Sequence, residues 1–457
     1  MAQDRIGTLI AQLHRQNIDR REFAQRAGAI GLSATLIGQV LRAVPAAAQD
    51  ATPEADGAMS IGNPDIEHIT ETELGMVKFI SSWPLTGASE QLGGDMVASL
   101  QMALDDFGNA AGGFAIEYTA MDDGIAANNG SWDAAREAEI ATSVVNDPDA
   151  MVYIATYNSG AAAVSIPILN QADPGPMAMI SPANTYPGLT KDSPNNEEGE
   201  PDRYYPTGVR NYMRVVPADD LQGPAAAAWA VENAGLSSAY VLHDNQLYGR
   251  GVAVAFRDTF EDLGGAIAGF EAFDQNAPDY LALMTSIASS APDVIYVGAI
   301  TNLNPGKLLQ DMRSVMPASE VTFIGPDGLI NQAFIDGAGE AAQDAYVTFA
   351  GLPPNALQGA GAEWYTRIRE LLGHEPDAYA VYAYEAAVVA IQALDQVQDN
   401  DRVAILEAMF STTNFAGLLG TWEFLETGDT SLTTVSLNQI QDGGIVFLEE
   451  IAAPPVA

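Results

Sequence analysis

Two short segments carry side chains suited to holding a carboxylate: Tyr157-Asn158-Ser159-Gly160 and Ser181-Pro182-Ala183-Asn184-Thr185. Each follows a short apolar run, residues 151–155 and 177–180, that reads as a buried strand, and residues 160–172 between them have helical spacing. Hydroxyls beside the unpaired N–H groups of a helix start form an anion site. In a parallel α/β sheet both turns fall at the carboxyl edge, where such sheets bind ligands. The stretch 151–190 is therefore expected to hold the acid end of a small ligand, although a serine at a helix start also serves as a plain N-cap.

Residues for other chemistry are scarce. With no cysteine there is neither a disulfide framework nor a thiolate metal site, and His14, His68, His243 and His374 never pair at metal-ligand spacing. Gly249-Arg250-Gly251 lacks the third glycine of a dinucleotide fingerprint, and there is no P-loop and no Gly-x-Ser-x-Gly elbow. Asp122 and Asp123 read as a solvated strand end rather than a catalytic pair. No activated nucleophile or positioned acid and base emerges, so neither an enzyme, a cofactor nor a metal is expected.

The chain has 457 residues, 47% hydrophobic, enough for two lobes with sizeable cores. Its net charge is −41, with only Lys78, Lys191 and Lys307 as lysines. That surface repels nucleic acid and anionic membrane, and suits solubility or a salty habitat. Residues 1–48 run against this trend: six arginines against three acids give +3, leaving −44 for the remainder. Arg20-Arg21 followed by Phe23, a moderately apolar run over 27–44, and Ala46 and Ala48 in A-x-A-like spacing read as a twin-arginine export signal cleaved near Ala48. Glycines and Arg42 interrupt the run too often for a membrane span. Residues 49–72 read as a flexible lead-in.

Strands are expected at 74–80, 114–120, 151–155 and 177–180, alternating with helices over 93–107, 132–145 and 160–172. That is the signature of a parallel sheet covered by helices. An irregular polar insertion, 187–211, follows, and its charged core, 191–198, reads as a solvated loop. After a strand at 211–216 a second alternating series runs to 349, with a helix over 219–234. Long helices over 359–372 and 378–397 and late hairpin strands to 448 close the chain. The late elements are expected to return to the first lobe.

With these motifs in view, the chain resembles the extracellular ligand-binding receptors of branched-chain amino acid ABC transporters, the leucine/isoleucine/valine-binding type of the class I periplasmic binding protein fold. The carriers of the resemblance are Gly87 with Gly94-Asp95-Met96, the Asn158-Ser159-Gly160 turn, Ile180 to Thr185, Asp244 to Gly251, Gly325-Pro326-Asp327-Gly328, and Tyr382 to Ala387. The resemblance implies α/β architecture: two Rossmann-like lobes with parallel-rich sheets, joined by a three-strand hinge and closing on a ligand. Lobe 1 would comprise residues 73–216 and 353–420, lobe 2 residues 217–352 and 421–457. It implies carboxylate-binding hydroxyls at Ser159 and Thr185, a main-chain carbonyl at Ala183 accepting from the ligand ammonium, and an acid opposite that ammonium at Asp327. Tyr248 would be an aromatic lid, with Tyr157 and Asn158 on the ligand stem. Asp327 stands where well-known members carry Glu; Ile300 or Thr301, and Leu92, stand at positions that are often aromatic. Tyr379 or Tyr382 would offer a wall for the ligand side chain, although both sit at helical spacing and read rather as core. The partners implied are a small amino acid, a membrane ABC permease and the twin-arginine export machinery, in the periplasm or at the cell surface. The same fold serves amides, urea and aromatic acids, or a sensory partner.

Overall fold

The computed structural model describes residues 61–194 and 196–454. The expected export signal and the first part of the lead-in lie outside them. From Ile61 onward the lead-in is tied down: Gly62 N donates to Ala416 O (3.0 Å), Asn63 N to Gln392 Oε1 (2.8 Å), and His68 Nδ1 lies 2.9 Å from Asp395 Oδ2. Polar composition did not reveal these tethers because their partners lie more than three hundred positions away.

Apolar runs bounded by turn residues became strands, and amphipathic segments became helices against them. Strands β1 (Gly75–Ser82), β2 (Ala110–Ala111), β3 (Phe114–Met121), β4 (Ala150–Ala155), β5 (Ala178–Ser181) and β6 (Tyr212–Arg214) form one sheet. Its order is β2-β3-β1-β4-β5-β6, parallel apart from β2. Every residue of β4 and β5 is buried, which the unbroken apolar runs require of strands covered on both faces. The second sheet contains β7 (Ser238–His243), β8 (Ala266–Ala272), β9 (Val294–Gly298), β10 (Thr322–Gly325) and β11 (Tyr346–Phe349), all parallel. After a small hairpin, β12 (Phe415–Gly417) and β13 (Gly420–Trp422), the antiparallel β14 (Val435–Gln441) and β15 (Gly444–Ile451) extend that sheet to β15-β14-β11-β10-β9-β7-β8.

The chain crosses between the sheets three times, as the expected hinge requires. It leaves β6 for the helix Asp219–Ala228, which packs on the helix Leu247–Asp262. It returns after β11 to the helices Ala360–Leu372 and Ala380–Val397, which pack on Glu90–Asp106. It crosses again between β13 and β14. No described helix is long and apolar enough to span a membrane.

Two local expectations need correction. The helix expected over 219–234 is α-helical only to Ala228 and continues as a π-turn, Trp229–Asn233. Helices Gln332–Ala338 and Arg402–Phe410 were not expected; each is short and weakly periodic, and each is fixed by a side-chain cap, Asn331 on Phe334 N and Asp401 on Val403 N. The described residues of the 191–198 core of the insertion are half-buried or exposed, but its flanks pack inward. Leu189, Tyr204 and Tyr205 are buried there, and the buried Glu200 carboxylate accepts from the OH of the preceding Tyr186 (2.7 Å), Tyr204 OH (2.5 Å) and Arg203 (2.7 Å). Its tyrosines supplied the apolar surface that its charged middle concealed.

One fully buried cation holds the hinge region. Arg214, at the end of β6, donates through Nε to Asp429 Oδ1 (2.6 Å), on the third crossing segment. Its Nη1 reaches Asn184 O (3.0 Å) and Tyr186 O (2.9 Å), and its Nη2 reaches Thr190 Oγ1. Burial by itself raises the Asp429 pKa, but Arg214 and then Lys191 outweigh it and hold the carboxyl at about 2. Arg214→Met leaves Asp429 charged and buried, and is expected to lower the unfolding free energy by about 3–5 kcal/mol. In the same urea titration Arg369→Met, which removes an exposed pair with Glu375, should cost about 1 kcal/mol or less.

Candidate ligand-binding site

The site forms where the carboxyl ends of both sheets face each other, near the points where strand order reverses: β1 lies between β3 and β4, and β7 between β8 and β9. On the first sheet, the turns after β4 and β5 are locked together by side chains. Asn184 Nδ2 donates to Thr156 O and Tyr157 O (both 2.9 Å). Ser181 Oγ donates to Thr156 O (2.8 Å) while accepting from Ala183 N (3.0 Å) and Asn184 N (2.9 Å). Ser181 and Asn184 thus shape the turns rather than face a ligand.

The first turn opens into the helix Ser159–Asn170, whose N-cap, Asn158, makes no side-chain cap bond. Ala161 N and Ala162 N fold back on Asn158 O, and the N–H groups of Ser159 and Gly160 meet no described acceptor. Ser159 Oγ accepts from Tyr186 N at 3.4 Å, so its proton is free to donate. Asn158 Oδ1 is buried without a partner. Gly160 is required because a Cβ there would lie 2.4 Å from the Trp132 ring. These uncapped N–H groups, with the positive end of the helix dipole and the Ser159 hydroxyl, make an anion site.

A buried carboxylate stands opposite. Asp327 follows β10 in a short turn, and its Oδ1 accepts from Tyr248 OH (2.5 Å) and Gln222 Nε2 (2.6 Å), its Oδ2 from Tyr379 OH. The same Gln222 Nε2 donates to Asp219 Oδ1 (3.0 Å), so one amide holds two buried carboxylates close together. Gly328 N donates to Tyr248 OH (2.9 Å), and a Cβ on Gly328 would lie 2.5 Å from Ala299 O. Burial pushes the Asp327 carboxyl up; burial and then the Asp327 charge push Asp219 up. Behind Tyr248, the buried Asp244 accepts from Gln246 N (2.9 Å) and Ile300 N (3.1 Å), fastening the loop after β9 to the one after β7; burial raises its pKa to about 7.

Six of the expected residues, Tyr157, Asn158, Ser159, Ala183, Tyr248 and Asp327, line one pocket, with Ile300, Gly328 and Tyr379. Thr185 is the exception. Its hydroxyl is fully buried behind the pocket and donates to Asp219 Oδ2 (3.0 Å). Asp219 and Gln222 were missed, whereas Tyr379, one of the two tyrosines weighed as a pocket wall, does line the pocket. Asp219 and Gln222 fall in the helix expected over 219–234, where two polar groups at i, i+3 before the apolar run Ala225–Ala228 were a usable signal. Tyr379 is core, as its spacing indicated, and also meets Tyr157 edge-on (5.5 Å between centroids). Tyr382 instead donates to Ala350 O (3.1 Å). Among the described residues no group of three His, Asp or Glu could hold a metal ion.

The pocket is shut. Its cavity is about 10 Å³, room for about one water. Besides Tyr379 to Asp327, Ser89 Oγ donates to Asn302 Oδ1 (2.8 Å) and Asn302 Nδ2 to Asn129 O (3.3 Å) across the cleft. A solute of any size enters only when the two sides separate.

This architecture, two α/β lobes meeting over a pocket that pairs an anion site with a buried acid, defines a cleft-closing solute-binding protein. The sequence profile of the family described as periplasmic binding protein matches residues 77–444, and the chain belongs to that family. A Leu/Ile/Val-binding protein homolog of Brucella abortus is 26% identical over 350 residues, 77% of this chain and 86% of the relative. A leucine-, isoleucine-, valine-, threonine- and alanine-binding protein of Pseudomonas aeruginosa is 25% identical over 77% of this chain and 87% of its own length. The fold is shared with a leucine-binding protein of Thermotoga maritima (TM-score 0.71, 23% identity, 82% of this chain and 99% of that one). It is also shared with a solute-binding protein of R. palustris bound to benzoate (TM-score 0.69, 20% identity, 84% and 98%).

Buried acids set the pH response of the fold. Burial raises Asp377, like Asp244, to about 7, and lifts Asp219 and Asp327 as well. In the unfolded chain these groups titrate near about pH 4. Between those values the folded state holds more protons, so stability falls as pH rises through that window. Asp429, held at about 2, stays charged throughout and does not alter the slope. Calorimetric scans should give a higher Tm at pH 5 than at pH 8.

Proposed function

We propose that this protein is an exported receptor that captures an α-amino acid between closing lobes and delivers it to a membrane ABC permease. The observation that carries the reading is the opposition, across one pocket, of an uncapped helix start with Ser159 and the buried Asp327 carboxylate. An anion site facing an acid is the complement of a zwitterion.

In this reading Ser159, with the N–H groups at the helix start, takes the ligand carboxylate. The ammonium donates to Asp327 and to the carbonyl of Ala183. Thr185, whose proton already goes to Asp219, supports that acid from behind rather than bonding the carboxylate. The ammonium takes over the place on Asp327 that Tyr379 fills in the shut cleft. Tyr157, Asn158 and Tyr248 enclose the stem of the ligand. Closure brings lobe 1, residues 73–216 and 353–420, onto lobe 2, residues 217–352 and 421–457. A ligand touching both favours the closed form by its differential affinity, and the permease reads that form. No step requires bond chemistry. Export through the twin-arginine machinery, with cleavage near Ala48, is supported by Arg20-Arg21 and the run that follows. The names of the relatives support an amino acid as the solute.

Calorimetric titration with alanine, leucine, isoleucine and valine should give saturable one-site binding, and benzoate none. Asp327→Ala should weaken binding by about 2–5 kcal/mol, because it leaves the ammonium buried without its counter-charge. Unchanged affinity would remove Asp327 from the site; binding of benzoate in preference to every amino acid would turn the reading toward an aromatic acid.

A further inference from the structure

The shut pocket is the first of three spaces along the cleft. Tyr157 is shared between it and a second cavity of about 20 Å³, bordered by Gln91, Leu92, Asn302, Asn331 and Asp377. Thr301 and Asn302 in turn are shared with a third, of about 690 Å³, whose walls include Asn128, Asn304, Gln246, Gln275 and Trp132. A ligand side chain leaving the head-group pocket past Tyr157 therefore enters a polar passage that widens into an amide-lined chamber.

In that passage most polar groups already have partners. Asn302 is engaged by Ser89 and Asn129. Asn331 Oδ1 accepts from Phe334 N (3.0 Å), and its Nδ2 donates to Thr301 Oγ1 (2.9 Å). Asp377 differs. It is buried, its Oδ1 accepts only from Tyr379 N in its own turn (3.0 Å), and its Oδ2 receives no bond from any described residue. The imidazole of that cluster, His374, lies on Asp95 instead (3.4 Å). In the chamber beyond, Gln275 Oε1 is likewise a buried acceptor without a donor, and Lys307 is held by Asp311. Asp377 Oδ2, at the narrow part of the path, and Gln275 Oε1 are both acceptors without a donor. An aliphatic side chain would leave them unsatisfied, and sites built to hydrogen-bond a substrate discriminate strongly against analogues lacking the donor.

We propose that the solute is an α-amino acid whose side chain ends in a nitrogen donor, an ammonium, guanidinium, ureido or amide group, and that Asp377 is the residue that selects it. This rests on the amino-acid reading of the head-group pocket. Leu92 and the Tyr157 ring line the methylene stem, and the donor end meets Asp377 Oδ2. Longer tails continue toward the chamber.

The test is calorimetry on the purified protein with alanine, leucine, norleucine, glutamine, ornithine and lysine. A donor-tailed ligand is expected to bind roughly tenfold to a hundredfold more tightly than norleucine, the worth of one charge-assisted hydrogen bond. Asp377→Asn keeps an acceptor for Tyr379 N, so the turn survives; it should shrink that preference for ornithine and lysine while leaving alanine unchanged. Norleucine or leucine matching every donor-tailed ligand would overturn the proposal, as would a preference that persists in both Asp377→Asn and Asp377→Leu. If alanine and leucine bind and the donor-tailed ligands do not, only the selectivity fails; if no amino acid binds, the head-group reading fails with it.

Discussion

The geometry of the binding turns depends on a single buried guanidinium. Arg214 sits in a chain with 19 basic residues against 60 acidic ones, yet it is placed where no water reaches it. A charge in that position is costly unless every donor is used. Here its bonds go to Asp429, to two main-chain carbonyls of the turn after β5, and to Thr190. The turn so fixed carries Asn184, and Asn184 fixes the turn after β4. The position of Ser159 and its open N–H groups follows from that sequence of contacts, while Asp429 ties the same arginine to the segment crossing toward the second sheet.

Across the cleft the constraint is reversed in sign. Asp219 and Asp327 share one amide donor in a dry environment, and only hydroxyl and amide groups face them at bonding distance. Two carboxylates held so close cannot both carry full charge comfortably: burial raises the pKa of each, and the Asp327 charge adds to the rise of Asp219. A cation arriving between the lobes relieves that repulsion. The strain is local to the cleft, and the rest of the second sheet is conventionally packed, with Asp244 binding the loop ends that bring Tyr248 and Ile300 to the pocket. In the proposed reading, ligand capture and lobe closure are one event, because the acid acquires its counter-charge only when the two sides meet.

Much of this was legible in the residues. The paired strand-turn-helix pattern at 151–190 pointed to an anion site, and the helix start there is indeed left without a side-chain cap. The resemblance placed Tyr157, Asn158, Ser159, Ala183, Tyr248 and Asp327, all of which line one pocket. Thr185 shows the limit of such transfer. Its residue type suits an anion, but Asp219 claims its proton. Tyr379 joins the two roles weighed for it: it is core, as periodicity marked it, and the inner face of that helix start is also a wall of the pocket. The tyrosines of the insertion were hidden among charges and turn residues, and only packing around Glu200 revealed their role.

By itself the sequence determined the alternation of strands and helices, the open helix start and the polarity of the turns, because each is encoded in residues next to one another. Only the tertiary structure decided which acids face which hydroxyls. Gln222 and Asp327 meet across 105 positions, and Tyr379 reaches Asp327 from an element on the far side of a chain crossing. Such pairings are set by how three crossing segments bring two sheets edge to edge, and periodicity, which reports only the face a residue occupies, carries no information about what lies opposite.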